Sequence, residues 1–486
     1  MNMDTFMNLG IGVIKMKRSK VNKLLILFVS IVFLSSCTTP NKEVTKIKFA
    51  SYDYPWIFAL VRKDLVENNI SGAINKNNNI ANIKQLKNLN YLESGRLLQL
   101  NDNYPESIKF YDLAIQSIPK NQEESLEQAK KILLDKNTYN YYDIKTAYNI
   151  PDYAISFLYT YQALNYLKTN DVNQALKSLD SLDTAKIWRD EQELIAGGMK
   201  ELAKEDLDRN DITNDNLGLD SFKSLKSMLE FSAVIPNAYG NPMTYYLKSL
   251  LDSAVSKNYQ ESLNDLENAQ KYTVGNRYLD QTANEYRSAV IGQISPFSMG
   301  MGRVVVFYEQ GLVNIRKSAN ANLDLGDIGI RKMEFPVYKT KYSFFDPKRV
   351  IISSGNNILA DTYTETLLDT TLYAMKSLIE SYSKVVTQNV VIEAFKYDYD
   401  KKFPLGGILG SHLKFDLSNT DPKRADMRSW LLLPNSIDLF EQQIDSGNYT
   451  IQINNIRQKI DVKQGKTTLL WIVDIGKFKK VYYFIF

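Results

Sequence analysis

The stretch from Tyr91 to Pro119, YLESGRLLQLNDNYPESIKFYDLAIQSIP, constrains the fold more than any other. Tyr91, Gly95 and Leu98 recur at spacings of four and three, which puts them on one face of a helix. Asn101, Asp102 and Asn103 are turn formers. Pro105 suits the opening of a second helix, where its missing N–H costs nothing. Ser107, Tyr111 and Ala114 repeat the spacing there, and Gly95 is small enough to let the second helix approach near Ser107. The stretch therefore predicts a helix over Tyr91 to Leu100, a tight turn, and a second helix from Pro105. One such hairpin cannot bury its own apolar face, so neighbouring hairpins are expected.

This pattern resembles the tetratricopeptide repeat, with Tyr91, Gly95, Leu98, Ser107, Tyr111, Ala114 and Pro119 at the family's positions. A second unit spans Pro151 to Leu182, with Tyr159, Ala163 and Tyr166 followed by Ala175, Leu179 and Leu182. A third spans Pro242 to Tyr272, with Tyr246, Leu250 and Ser253, then Ser262, Leu266 and Ala269. Leu182 and Leu250 are larger than the family's usual residues. The units lie farther apart than the ~34 residues of a regular array. An irregular α-helical solenoid with extra helices is expected over residues 55–294, its first helix near Ile57 to Glu67 and another over Gln122 to Leu134. Its aromatic and aliphatic stripes are read as packing positions.

The N-terminus has a different character. Residues 1–36 hold five basic side chains and one acid, and the whole chain holds 59 and 55, so the remainder balances at 54 and 54. A neutral body lacks the counterion-release drive that binds nucleic acid, and no nucleic-acid partner is expected. The basic stretch Lys15 to Lys23, the apolar run Leu24 to Leu34 and the small residues before Cys37 form an export signal. Met16 is an alternative start. The apolar run is too short to span a bilayer comfortably. Leu34-Ser35-Ser36-Cys37 resembles a bacterial lipobox. The resemblance implies a diacylglycerol on the Cys37 thiol, effectively permanent anchoring, and, with Thr38 rather than Asp after the cysteine, sorting to the outer membrane of a Gram-negative bacterium, facing the periplasm. Residues 37–54 read as a tether.

Ser295-Pro296-Phe297-Ser298-Met299-Gly300-Met301-Gly302 ends the helical pattern. Residues 300–486 then read as a β-rich C-terminal domain, a small antiparallel sandwich or sheet. Strands are expected over Arg303–Tyr308, Leu312–Arg316, Gly329–Tyr338, Arg349–Ser353, Trp430–Leu433, Ile437–Gln442, Asn448–Asn454, Arg457–Val462, Thr467–Val473 and Lys479–Ile485. Phe335-Pro336 suggests an edge strand. Inserted helices are expected over residues 361–399, one from Asp361 to Val385 and one from Val390 to Tyr399. The fold class is thus α+β, a helical repeat solenoid followed by a sandwich-like domain. The lipobox, the hairpin at 91–119 and the segments GRVVVFYEQGLV (302–313), MEFPVY (333–338), DMRSWLLLPNSI (426–437) and SGNYTI (446–451) together resemble a family of uncharacterised bacterial lipoproteins. That resemblance implies an envelope protein whose relatives keep company with small lipoproteins, some akin to activators of penicillin-binding proteins.

Residue supply limits the chemistry. The chain has one cysteine, Cys37, and one histidine, His412. It can form no intrachain disulfide and no zinc site of several His or Cys ligands. Pro404 to Gly410 is Gly-rich but lacks the Gly-Lys-Ser/Thr ending of a phosphate loop. Asp206, Asp208, Asp211 and Asp215 lack the glycine and terminal glutamate of an EF-hand. Glu309, Asp324, Asp327 and Glu334 lie near strands, and nothing in their spacing singles out an acid–base pair. Trp430 beside Arg428 and Asp426 reads as a core tryptophan with a surface ion pair. No catalytic, metal or cofactor residues are assigned, and Cys37 is the one modification site. The leading expectation is a lipid-anchored scaffold or adaptor that binds envelope proteins, the cell-wall synthesis machinery among the candidates. The alternative is a peptidoglycan-acting enzyme with paired carboxylates in the C-terminal domain, about 5–10 Å apart.

Overall fold

A computed structural model describes residues 53–83, 86–118, 148–185, 223–273, 275–339, 346–382, 385–386, 390 and 425–486. Cys37, the acidic run 206–215, the glycine-rich stretch 404–410, His412 and the expected helices at 122–134 and 390–399 lie outside these residues, apart from Val390 itself. Helices fill the N-terminal half and β-sheets dominate the C-terminal region. The helices are α1 (Tyr54–Val66), α2 (Ile70–Ile80), α3 (Lys87–Leu100), α4 (Tyr104–Gln116), α5 (Asp152–Lys168), α6 (Val172–Ala185), α7 (Lys223–Ser232), α8 (Pro242–Val255), α9 (Tyr259–Lys271) and α10 (Arg277–Gly292).

Four helix pairs, α1–α2, α3–α4, α5–α6 and α8–α9, share one turn. A residue with left-handed backbone ends the first helix: Asn68, Asp102, Asn170 and Lys257, with φ of 64°, 60°, 60° and 54°. Asparagine and aspartate tolerate that conformation better than other side chains. The next residue caps the second helix. Asn69, Asn103, Asp171 and Asn258 each accept, through a side-chain oxygen, the N–H three residues on, at 3.0, 3.4, 3.0 and 3.3 Å. Four residues after each cap stands a small, fully buried side chain: Ala73, Ser107, Ala175 and Ser262. At the α3–α4 crossing a Cβ on Gly95 would lie 2.4 Å from the Tyr111 ring, and Ser107 Oγ donates to the Gly95 carbonyl at 2.7 Å. Only glycine admits that approach.

The strands are β1 (Met301–Gln310), β2 (Lys317–Asp324), β3 (Ile330–Val337), β4 (Arg349–Ser354), β5 (Asn357–Tyr363), β6 (Glu365–Asp369), β7 (Ser436–Asp445), β8 (Gly447–Ile453), β9 (Ile456–Val462), β10 (Thr467–Ile475) and β11 (Phe478–Ile485), with helix α11 (Thr370–Glu380) between β6 and β7. One sheet has the order β11-β10-β1-β7-β6, a second β5-β4-β8-β9, and β2-β3 form a hairpin of their own. β1 runs parallel to β10 and antiparallel to β7. The expected antiparallel sandwich or sheet is therefore corrected by one parallel central pair. Both strands of that pair are buried nearly end to end, which is why RVVVFY and TLLWIV are continuous apolar runs rather than alternating ones.

β1 holds the layers together. From one face Arg303 meets Tyr286 of α10, Phe307 meets Tyr246 of α8, and Glu309 meets Arg96 of α3 and Tyr161 of α5. On the alternate face a Cβ at Gly302 would sit 2.3 Å from the Lys463 carbonyl oxygen, so this strand abuts the end of β9 directly. Helices and sheets thus share one buried interior.

Three sequence expectations are corrected. Leu312–Arg316 is irregular, and the polar segment Lys317–Asp324 forms the strand, paired in register with β3. Residues 361–369 belong to β5 and β6, and the helix begins only at Thr370, capped by Asp369, whose side chain accepts from Thr371 N and Leu372 N. Trp430–Leu433 is a turn, because its N–H groups have a partner outside any ladder.

Candidate functional site

That partner is Glu93. α3 is buried on two sides: Gly95 faces α4, while Glu93, Arg96 and Gln99 face the sheet and the 430–433 turn. The Glu93 carboxylate accepts Leu431 N at 2.7 Å, Leu432 N at 3.2 Å and the Tyr54 hydroxyl at 2.9 Å. Burial pushes its pKa up to about 8, against the opposing pull of those donors and of Arg62. One turn on, the Arg96 guanidinium is ion-paired with Glu309 of β1, and neither side chain has measurable contact with solvent beyond 1%. Glu309 also accepts the Tyr161 hydroxyl at 3.0 Å and the Trp471 indole N–H at 2.9 Å. Arg96 lies 4.1 Å over the Tyr161 ring, and Trp471 stacks on Tyr482 at 4.3 Å. Gln99 carries the network to Asn165 at 2.8 Å. This is a buried, ion-paired seam in which Arg96 and Glu309 hold each other.

A second ionic seam lies toward the other end of β1. Arg303 reaches Glu441 of β7 at 2.9 Å and Glu285 of α10 at 2.6 Å. Arg303 and Glu441 are fully buried, but Glu285 is 23% exposed. Burial pushes Glu441 up to about 7, with Arg303 opposing. Thr282 donates to Glu441 at 3.2 Å, and Gln443 donates to Glu285 at 2.7 Å.

Glu285 and Gln443 open into a shallow surface groove of about 760 Å³. Its wall is one face of α10, from Arg277 through Asn284, Glu285 and Ser288 to Ala289, residues that recur at helical spacing. The thirteen residues from Arg277 to Ala289 make it ~18 Å long. The opposite side is the 294–298 corner, tied to the sheet by Ser298 N donating to the Gln443 amide oxygen at 3.0 Å. Beside it Ile291, Ile294 and Met299 are 78%, 60% and 96% exposed. Ile294, Pro296 and Phe297 set an apolar wall against the polar face of α10, and a groove of mixed walls can accept the amides and side chains of a polypeptide.

The residues singled out in the sequence do not converge here. Glu309 is spent on Arg96. Asp324 accepts Gly326 N at 3.2 Å, and Glu334 accepts the Ser318 hydroxyl at 2.8 Å. In the β2–β3 register Glu334 lies opposite Asn320, four residues from Asp324, or ~13 Å along the hairpin. Trp430 is buried edge-on against Tyr111 and Tyr161 at 6.1 and 5.9 Å, and Arg428 grips Asp426 through two nitrogens at 3.0 and 2.6 Å. Arg428 itself is buried while the Asp426 side chain is 33% exposed, so only the acid half of that ion pair reaches the surface. The carboxylates that do come close flank a cation. Glu285 and Glu441 share Arg303, and Asp252 and Asp265 share Lys248 at 2.9 and 3.0 Å. Among the described residues no group of His, Cys, Asp or Glu could hold a metal ion, and no helix is long and apolar enough to cross a membrane. No protein-family model, curated protein or solved structure matches the chain.

Proposed function

We propose that the chain is a lipid-anchored scaffold of the bacterial envelope, held at the outer membrane through Cys37, with tetratricopeptide-like hairpins that bind protein partners. The observation that carries this reading is the shared turn. Its left-handed residues Asn68 and Asp102 are 34 apart, and Asp102 and Asn170 are 68 apart, twice that period. A spacing of ~34 residues is that of tetratricopeptide units. The small buried residue four positions past each cap supports the same reading. The 87 residues from Asn170 to Lys257 depart from the period, in keeping with an irregular array. The α10 groove gives such a scaffold a place to receive polypeptide, and the ion-paired acids favour structure over hydrolysis.

The test is crosslinking in whole cells, followed by membrane fractionation. The native chain should sediment with the outer membrane and yield defined crosslinked partners. Cys37→Ser should leave the membrane, and Glu285→Lys with Ser288→Trp should lose partners while staying membrane-bound. Unchanged location of Cys37→Ser would remove the anchor from the proposal, and purified native protein that cleaves peptidoglycan would replace the scaffold with an enzyme.

A further inference from the structure

We propose that the outward face of α1 rests on a phospholipid surface. α1 is apolar on two sides. Tyr54, Phe58, Val61 and Leu65 are buried in the fold, while Trp56 and Leu60, one turn apart, are 82% and 56% exposed, with Ala59 exposed beside them. Single exposed apolar residues are ordinary, but a stripe along one helix face is the mark of an interfacial helix. The stripe has a cation and no acid at its centre. Lys63 follows Leu60 on the exposed side, and Asp64, the helix's one acid, is turned toward Lys76 at 2.5 Å. Indole suits the headgroup level because its ring is apolar and its N–H needs a polar partner, while Leu60 would enter the acyl boundary and Lys63 meet phosphate.

The choice of lipid over protein rests on the anchor, and therefore on the reading of Cys37 given above. Trp56 lies nineteen residues past Cys37, a span of at most ~65 Å when fully extended. A lipid at Cys37 keeps α1 near the bilayer at high effective concentration, so a small apolar stripe suffices. The face is the convex side of a helix, which fits a fluid surface better than a protein anchor pocket.

The experiment uses the full native chain in vesicles of phosphatidylethanolamine and phosphatidylglycerol, with one acyl chain brominated close to the headgroup. Bromine quenches tryptophan on contact. Trp430 and Trp471 are fully buried, and the difference between native protein and Trp56→Tyr isolates Trp56. Quenching that is present in the native chain and lost in Trp56→Tyr is the expected result. Equal quenching in the two overturns the proposal. So does a Trp56 shielded from iodide but not quenched by bromolipid, which would mean that a protein surface covers it. Flotation of Cys37→Ser with the same vesicles reads the anchor separately, so loss of the anchor and loss of the α1 contact give different outcomes.

Discussion

The two arginine–glutamate seams at opposite ends of β1 solve one problem in two ways. At the α3 end the helix supplies Arg96 and the strand supplies Glu309; at the α10 end the strand supplies Arg303 and its neighbours supply Glu441 and Glu285. The first seam is closed by Tyr161 and Trp471, each donating to Glu309. The second leaks to solvent through Glu285. A sealed pair must hold its charges whatever the solvent does, and its loss leaves a bare charge in the interior. A pair with a door to the surface can exchange protons, relax, and be touched by a ligand. The difference separates a structural joint from a surface that can carry function.

The largest expected effect tests the joint. Arg96→Met leaves Glu309 buried without its cation and should cost ~3–5 kcal/mol. The double change Arg96→Met with Glu309→Leu removes both charges and should recover most of it. Arg303→Met should cost less than Arg96→Met, because Glu285 can turn to water and Glu441 already sits near 7. Urea midpoints at pH 7 rank the variants, and a reversed order of the two arginines would break the comparison. Next comes Gly95→Ala. The added methyl meets the Tyr111 ring, and overpacking of this kind costs ~1–3 kcal/mol. Adding Tyr111→Leu to Gly95→Ala should return part of the loss in the same urea series, and no recovery would mean that the crossing is not set by that contact.

Much of this frame could be read from residues alone, and the failures share a cause. The α3–α4 hairpin, the junction at 295–302 and the apolar runs of β1 and β10 follow from local spacing, which local physics controls. Glu93, Arg96 and Gln99 are unreadable that way. On a helix exposed on one side they would be solvated, and only a second layer, 213 residues on in the case of Glu309, turns them into core. The same layer explains why the apolar turn 430–433 resembles a strand: its N–H groups pair with a carboxylate from another part of the chain. The α1–α2 pair is not legible in the sequence because ISGAINKNNNI carries too few apolar residues to show a stripe, although its Asn68-Asn69 turn matches the others. Of the groove, the 295–302 break was visible, but nothing local marks the other wall.

The pH dependence sharpens the contrast. Glu93 is raised to about 8 in the folded chain, above its ordinary value, so the fold binds a proton that the unfolded chain releases. That contribution is fully present below ~4.3, the ordinary glutamate range, and is lost as pH rises through about 8. Stability should fall between pH 5 and 8 with a slope of up to ~1.4 kcal/mol per unit for this one group. Glu441, raised to about 7, adds a term of the same sign that ends earlier. Glu93→Gln should flatten the upper part of the curve and Glu441→Gln the lower. Denaturant titrations at half-unit steps separate them, and a native protein equally stable at pH 5 and 8 would refute both.

The smallest effect on stability belongs to Glu285→Gln, and it should carry the largest effect on binding relative to its cost. Gln keeps an oxygen toward Arg303 and Gln443, and Glu441 still neutralises the arginine, so the loss should stay under ~1 kcal/mol, as for a partly exposed pair. What changes is the groove. Its one carboxylate in contact with the buried arginine becomes neutral, while the apolar residues beside it are untouched. A partner that reads the groove through charge should crosslink several-fold less to Glu285→Gln and be unaffected by Arg96→Lys at the sealed seam. If crosslinking drops equally in both variants, binding follows global stability rather than the groove. The two seams would then differ in exposure alone.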